Sequence, residues 1–145
     1  MMTKTKTKSG DLTVITGVIG SDGHSIGSWL VAHTLAEAGV KVIRLGSMVQ
    51  QADFIKAAVE TNADAILVTS VYGQGYMDCQ GLRQKCDEAG LKNIMIYVGG
   101  QLVVGSEDWA VVEKKFKALG INRVYPPRTL PSVAIDHLKQ DLGVA

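Results

Sequence analysis

The stretch VIGSDGHSIGSWL, Val18 to Leu30, decides how the chain is read. A β-branched apolar run from Leu12 to Ile19 leads into it, has the length of a strand, and stops at Gly20-Ser21-Asp22-Gly23. A helical period follows from about Ser25 to Ala38, where Gly39 ends it. A strand, a short glycine-rich loop and a helix make the first half of a βα unit, and the same order recurs downstream. Further strands are expected at Val40–Leu45, Ala65–Thr69, Ile94–Val98 and Arg123–Tyr125. These runs lack strict in–out alternation, which is the pattern of parallel strands covered on both faces. Helices are expected between them. One spans about Gln51–Thr61, with Phe54, Ile55, Ala58 and Val59 on one stripe, and one about Asp78–Ala89, stopped by Gly90. A third begins after Ser106 as N-cap, turns Val111, Val112, Phe116 and Leu119 inward, and stops at Gly120; a last one opens near Pro131 and reaches Leu142. The fold class is therefore α/β: a doubly wound, five-stranded parallel sheet with helices on both faces.

Composition agrees with one soluble domain. The chain has 145 residues, 46% hydrophobic and 20% charged, which is enough for a single real core. A net charge of +1 gives no electrostatic case for nucleic acid, and no apolar run has membrane-spanning length. The start, MMTKTKTKSG, has the lysines of a signal peptide without its apolar core or cleavage site, so residues 1–10 read as a flexible tail and 11–145 as the domain. Two cysteines, Cys79 and Cys86, fall on one expected helix and read as reduced structural thiols of a cytoplasmic protein. Trp29 and Trp109 read as packing residues, and His33 and His137 as surface residues.

In such sheets ligands sit beyond the carboxyl ends of the strands. Those ends carry Ser21-Asp22-Gly23-His24, Gly46-Ser47-Met48, Ser70-Val71-Tyr72-Gly73, Gly99-Gly100-Gln101 and Pro126-Pro127-Arg128-Thr129. The edge is rich in glycine and hydroxyls and holds almost no carboxylate besides Asp22. A dinucleotide site is excluded, because the glycine spacing is wrong and Leu45-Gly46 stands where an acid belongs. No GKS or GKT loop and no G-x-S-x-G elbow occurs. Thr69-Ser70 after the third strand excludes a phospho-receiver, which needs an aspartate there. One histidine cannot hold zinc alone. It can be the axial ligand of a metal already held in a macrocycle, with a carboxylate fixing its tautomer. Asp22 is two residues from His24, close enough for its carboxylate to accept from Nδ1–H while Nε2 faces the metal.

Asp22-x-His24-x-x-Gly27, then about forty residues to Thr69-x-Val71, then about twenty-seven to Gly99-Gly100, is similar to the D-x-H-x-x-G, S-x-L, GG signature of cobalamin-binding domains. Thr replaces Ser at 69 and Val replaces Leu at 71. The hydroxyl and the apolar contact are kept. The segments GVIGSDGH, FIKAAVETNADAILV, YGQGYMDCQGLRQKCDEAGL, YVGGQLVVG and VEKKF resemble the small, cobalamin-binding subunit family of glutamate mutase (methylaspartate mutase) over nearly all of the chain after the tail.

The resemblance implies a flavodoxin-like domain that carries adenosylcobalamin. It implies His24 as lower axial cobalt ligand in place of the cofactor's own dimethylbenzimidazole, whose nucleotide tail then enters a pocket along the sheet. It implies cofactor contacts at Ser21, Asp22, Gly23, Ser25, Ile26 and Gly27 in the first loop, and at Val68, Thr69, Val71, Tyr72 and Gly73 after the third strand. Further contacts are implied at Gly99, Gly100 and Gln101, and at Tyr125, Pro127 and Thr129. Thr69 is the expected hydrogen-bond partner of a benzimidazole nitrogen. Pro126 and Arg128 depart from the family in the last loop. The implied partner is a larger TIM-barrel subunit that binds substrate, in a heterotetramer of two small and two large subunits, with no nucleic acid and no membrane. Two other readings stay open at this point. One is the corrinoid carrier of another mutase or of a methyltransferase, the latter commonly fused to an N-terminal helical bundle for which this chain has no room. The other is a flavodoxin-like regulatory module without cofactor.

Overall fold

The computed structural model describes residues 8–20, 26–70 and 75–144. Among them, β1 (Thr13–Val18), β2 (Lys41–Arg44), β3 (Ala65–Ser70), β4 (Met95–Gly100) and β5 (Arg123–Val124) form one sheet in the order β2-β1-β3-β4-β5. Every pair is parallel. The helices are α1 (Ile26–Glu37), α2 (Gln51–Thr61), α3 (Gly75–Cys79), α4 (Leu82–Glu88), α5 (Trp109–Ala118) and α6 (Pro131–Leu142). The expected α/β class, parallel sheet and order of elements are all present.

Alternation along the strands sorts side chains into two cores. On one face Val14, Leu67 and Tyr97 meet Leu35 of α1 and Ile135 and Leu138 of α6. On the other, Ile15, Ile66, Ile96 and Val98 meet Phe54 of α2, Leu82 of α4 and Phe116 of α5. The strand order turns back between β1 and β3, the switch point where this sheet type leaves a crevice.

Four details differ from the sequence reading. The expected helix over 78–89 is two helices, because Gly81 between them takes φ +80°, a conformation no α-helix passes through. Cys79 and Cys86 therefore lie on different helices, yet both are buried in the same core as free thiols. α5 starts later than expected, with Asp108 rather than Ser106 at the N-cap position. Glu107 turns away to accept from the Val104 amide at 3.4 Å. Val112 and Phe116, four apart, own the buried stripe of α5, so Val111 points outward and is 51% exposed. Trp29 is also outside the core: it is 54% exposed and stacks on His33 at 5.0 Å.

The amino end of the sheet is fastened by side chains. The Asp64 carboxylate accepts from the Thr13 amide at 2.9 Å, joining β3 to β1. Arg83 of α4 donates to the carbonyls of Gly120 (2.9 Å) and Ile94 (2.8 Å) and to Asn122 Oδ1. Asn122 Oδ1 also accepts from the Ile96 amide at 2.8 Å. At the far end of α6, Asp141 receives Nε and Nη2 of Arg123, each at 2.8 Å, and the hydroxyl of Tyr97. The Arg123 hydrogen bonds hold the Asp141 carboxyl below its ordinary value of 3.8, and the Tyr97 hydroxyl adds to this.

At the carboxyl end β3 and β4 pair two residues further than their apolar runs suggest, with Thr69 opposite Gly99 and Ser70 opposite Gly100. Gly100 has φ +112°, and a Cβ there would overlap the Ser70 carbonyl, whose carbon would be 3.0 Å away.

Two outcomes follow from these contacts. Gly100→Ala forces backbone against backbone at a positive φ and costs more than about 2 kcal/mol. Gly99→Ala, whose Cβ meets only Tyr125 at 3.4 Å, costs much less; urea titration of both variants checks the contrast. Asp141→Asn loses roughly 1–2 kcal/mol near neutral pH. A lowered folded pKa means stability that is present above 3.8 and lost as pH falls through the folded value. The gap between Asn variant and parent therefore narrows as urea titrations move from about pH 5 towards pH 2.

Candidate functional site

A cavity of about 260 Å³ opens beyond the carboxyl ends of β3 and β4, between α1 and α6. Its floor is Leu67, Thr69, Tyr97 and Gly99, the side chains that alternation turns to this face. Gly27, Leu30 and Val31 of α1 form one wall, and Pro131 and Ala134 of α6 the other. Tyr125, Pro126, Arg128, Thr129 and Leu130, on the loop from β5 to α6, close the end.

Glycine makes the room. A Cβ on Gly27 would meet nothing within 4 Å, so α1 presents open space at that point. A Cβ on Gly99 would touch only Tyr125 and stand over the floor. Gly100 lies at the rim for a different reason: its missing Cβ admits the Ser70 carbonyl, a demand of the sheet itself. The Gln101 amide donates to that same carbonyl at 2.7 Å, and Gln101 stands outside the cavity lining, as does Pro127. Val68 reaches the cavity only at its edge, because its side chain belongs to the opposite core.

The polar groups of the lining sort by whether they are already used. The Tyr97 hydroxyl is given to Asp141. The Tyr125 hydroxyl shares a hydrogen bond with His137 Nδ1 at 2.8 Å, and the two rings stack 5.6 Å apart. His137 is thus half-buried against the cavity wall rather than a plain surface residue. Burial raises the pKa of both tyrosines well above the usual phenol value, so both stay neutral. The Thr129 hydroxyl donates to the Pro126 carbonyl at 2.7 Å. Only Thr69, of the hydroxyls lining the cavity, makes no hydrogen bond among the described residues. The result is an apolar slot lined by two aromatic rings that meet edge to face, with one hydroxyl on its floor that has no partner among the described residues. That suits a flat, largely apolar heteroaromatic group that needs one polar contact.

Ser21, Asp22, Gly23, His24 and Ser25, and Val71, Tyr72 and Gly73, lie outside the described residues, and so does the side chain of Ile26. What is described is their frame: the Gly20 amide donates to the Val49 carbonyl at 2.9 Å, and α1 begins at Ile26. Among the described residues no group of three or more His, Cys, Asp or Glu could hold a metal ion. Burial and the neighbouring Asp78 push the Cys79 thiol up to about 12, which leaves it protonated and inert.

Sequence reasoning missed several residues. Leu30, Val31, Pro131 and Ala134 build the walls, and only the helical period of α1 and α6 could have pointed to them. Asp78 was also missed. Its carboxylate packs against Gly20, where a Cβ would lie 2.9 Å from the Asp78 Cγ, and burial raises its pKa. Gln51 Nε2 donates to the Asp78 carbonyl at 2.6 Å, while Gln51 Oε1 and Asp78 Oδ2 are buried without a partner among the described residues.

Comparison with known proteins agrees with this geometry. A family model described as the B12 binding domain matches residues 12–121. The glutamate mutase sigma subunit of Clostridium tetani is 55% identical over 132 residues, covering 91% of this chain and 96% of that protein. The sigma subunit of Clostridium cochlearium is 54% identical with the same coverage. Among solved structures, a cobalamin-binding protein from Desulfitobacterium hafniense superposes with a TM-score of 0.72 at 18% identity. That match covers 90% of this chain and 58% of the other, so the chain spans less than two thirds of it and shares its flavodoxin-like fold. With more than half its residues shared across almost its full length, the chain belongs to the glutamate mutase sigma-subunit family, and its residues 12–121 to the B12 binding domain family.

Proposed function

We propose that this chain is the cobalamin-carrying subunit of an adenosylcobalamin-dependent glutamate mutase, an isomerase that interconverts L-glutamate and (2S,3S)-3-methylaspartate by radical rearrangement of the carbon skeleton. The observation that carries the reading is the slot beyond the carboxyl ends of β3 and β4, floored by Thr69 and Gly99 and walled by Gly27, in a chain 55% identical to a glutamate mutase sigma subunit. When bound, adenosylcobalamin supplies a cobalt–carbon bond that homolyses to start the radical chemistry.

The chain's own residues position and shelter it. His24 would hold the cobalt through Nε2, and Asp22 would accept from its Nδ1–H, fixing the tautomer and raising its basicity. The slot would take the dimethylbenzimidazole tail, with the Thr69 hydroxyl donating to a ring nitrogen. Tyr97 would lie under it and Tyr125 at its end, and their committed hydroxyls keep both rings rigid. Leu30, Val31, Leu67 and Ala134 exclude water from its faces.

The partner is the larger, substrate-binding TIM-barrel subunit, two copies of each forming the heterotetramer. Its docking covers the strand-end edge, where Met48, Met77 and Val104 stand exposed after β2, β3 and β4. The compartment is the cytoplasm; the two free cysteines suit it, and no helix among the described residues is long and apolar enough to cross a membrane.

The test is electron paramagnetic resonance of cob(II)alamin bound to the chain, with and without 15N-labelled histidine. A nitrogen triplet that becomes a doublet with the label identifies a protein histidine on cobalt, and His24→Ala then abolishes it. A splitting indifferent to the label shows that the cofactor keeps its own base and overturns the ligand assignment. No binding at all favours a regulatory module. A second variant isolates the slot. Gly27→Leu fills open space on a helix and so keeps or raises stability, while cobalamin affinity falls at least about tenfold. Unchanged affinity would move the tail out of this cavity.

A further inference from the structure

Arg128 is the one charged residue among the described residues that line the cavity. Its guanidinium makes no hydrogen bond and no ion pair among the described residues, and no described carboxylate lines the cavity to compete for it. Its backbone is also unusual. Arg128 sits at φ +67°, in the left-handed region that costs an L residue and suits glycine. The loop is held there by the Tyr125 amide on the Val98 carbonyl (2.9 Å) and by Thr129 on the Pro126 carbonyl.

Folding does not explain this residue. It gains no partner, and its conformation works against it. Backbone strain of this kind is held by the surrounding structure and clusters at ligand-binding sites. The position is the rim of a slot whose interior is apolar and where Thr69 has the one hydroxyl unpartnered among the described residues. A ligand with a flat base in the slot and an anionic group at the rim would use both.

A nucleotide is such a ligand: base, sugar and phosphate. We propose that Arg128 binds the phosphate of the cofactor's nucleotide tail and is a positioning residue that sets tail affinity. The inference rests on the cobalamin reading above. The planar guanidinium offers paired donors that match two phosphate oxygens, and no other cation among the described residues lines the slot to neutralise that charge.

The test separates the phosphate from the base. The full chain, isotope-labelled, is titrated with α-ribazole and with α-ribazole 3′-phosphate and followed by NMR, for the parent, Arg128→Gly and Arg128→Lys. The parent binds the phosphorylated fragment about fivefold to tenfold more tightly, and the preference shrinks as salt rises from about 0.05 M to about 0.5 M. Arg128→Gly abolishes the preference and leaves α-ribazole affinity unchanged; Arg128→Lys keeps part of it. The Tm of Arg128→Gly is no lower than that of the parent, because the strain is relieved. A phosphate preference that survives in Arg128→Gly overturns the proposal, as does an equal loss for both fragments. If the parent binds both fragments equally, the role of Arg128 falls and the cobalamin reading stands. If it binds neither fragment nor adenosylcobalamin, both fall together.

Discussion

The close approach of the Ser70 carbonyl to Gly100 is the constraint on which the rest of the site depends. It extends the β3–β4 pairing to Thr69–Gly99 and Ser70–Gly100, beyond the apolar part of either strand. Parallel pairing at that point puts Thr69 and Gly99 side by side on the same face, one with a hydroxyl and one with nothing. A side chain at 99 would stand in the space that the cavity occupies. A side chain at 100 would push the two strands apart and destroy the register that sets Thr69 beside 99. The two glycines thus serve different ends: Gly100 is required by the backbone whether or not a ligand binds, and Gly99 keeps the floor open.

The walls are stiff because their polar ends are tied down away from the cavity. Tyr97 shows its ring to the slot and its hydroxyl to Asp141, which also holds Arg123. Tyr125 shows its ring to the slot and its hydroxyl to His137 on α6, and the Tyr97 and Tyr125 rings meet edge to face at 5.9 Å. An aromatic wall that could rotate would lose side-chain entropy when a ligand bound. One that is already hydrogen-bonded has lost that entropy during folding, so less of the binding energy is spent on ordering it.

Much of this was legible in the sequence. The alternation of apolar runs with helical periods and the glycines at 39, 90 and 120 gave the order of elements, and Asp22-x-His24-x-x-Gly27, Thr69 and Gly99-Gly100 marked the edge. What was missed depends on information that spacing along the chain does not hold. Leu82 and Cys86 continue a helical stripe from Cys79, so the pattern hid the break at Gly81, whose φ of +80° is set by how α4 meets the core. Ala134 reaches the cavity, and His137 the back of Tyr125, only because α6 packs back over the sheet, a contact between distant segments.

The arrangement also shows why so small a domain can hold a large ligand at one edge. Its fastening lies elsewhere. Asp64 on the Thr13 amide, Arg83 on Ile94 and Gly120, and Asn122 on Ile96 lock the amino ends of β1, β3, β4 and β5 together. The core under α2, α4 and α5 on the opposite face holds Phe54, Leu82 and Phe116, all buried and none reaching the cavity. Stability is thereby concentrated at one end and one face of the sheet. The carboxyl end can then carry open glycines, a free hydroxyl and the strained Arg128 without threatening the fold. A site that spends stability has to sit where the rest of the structure does not rely on it.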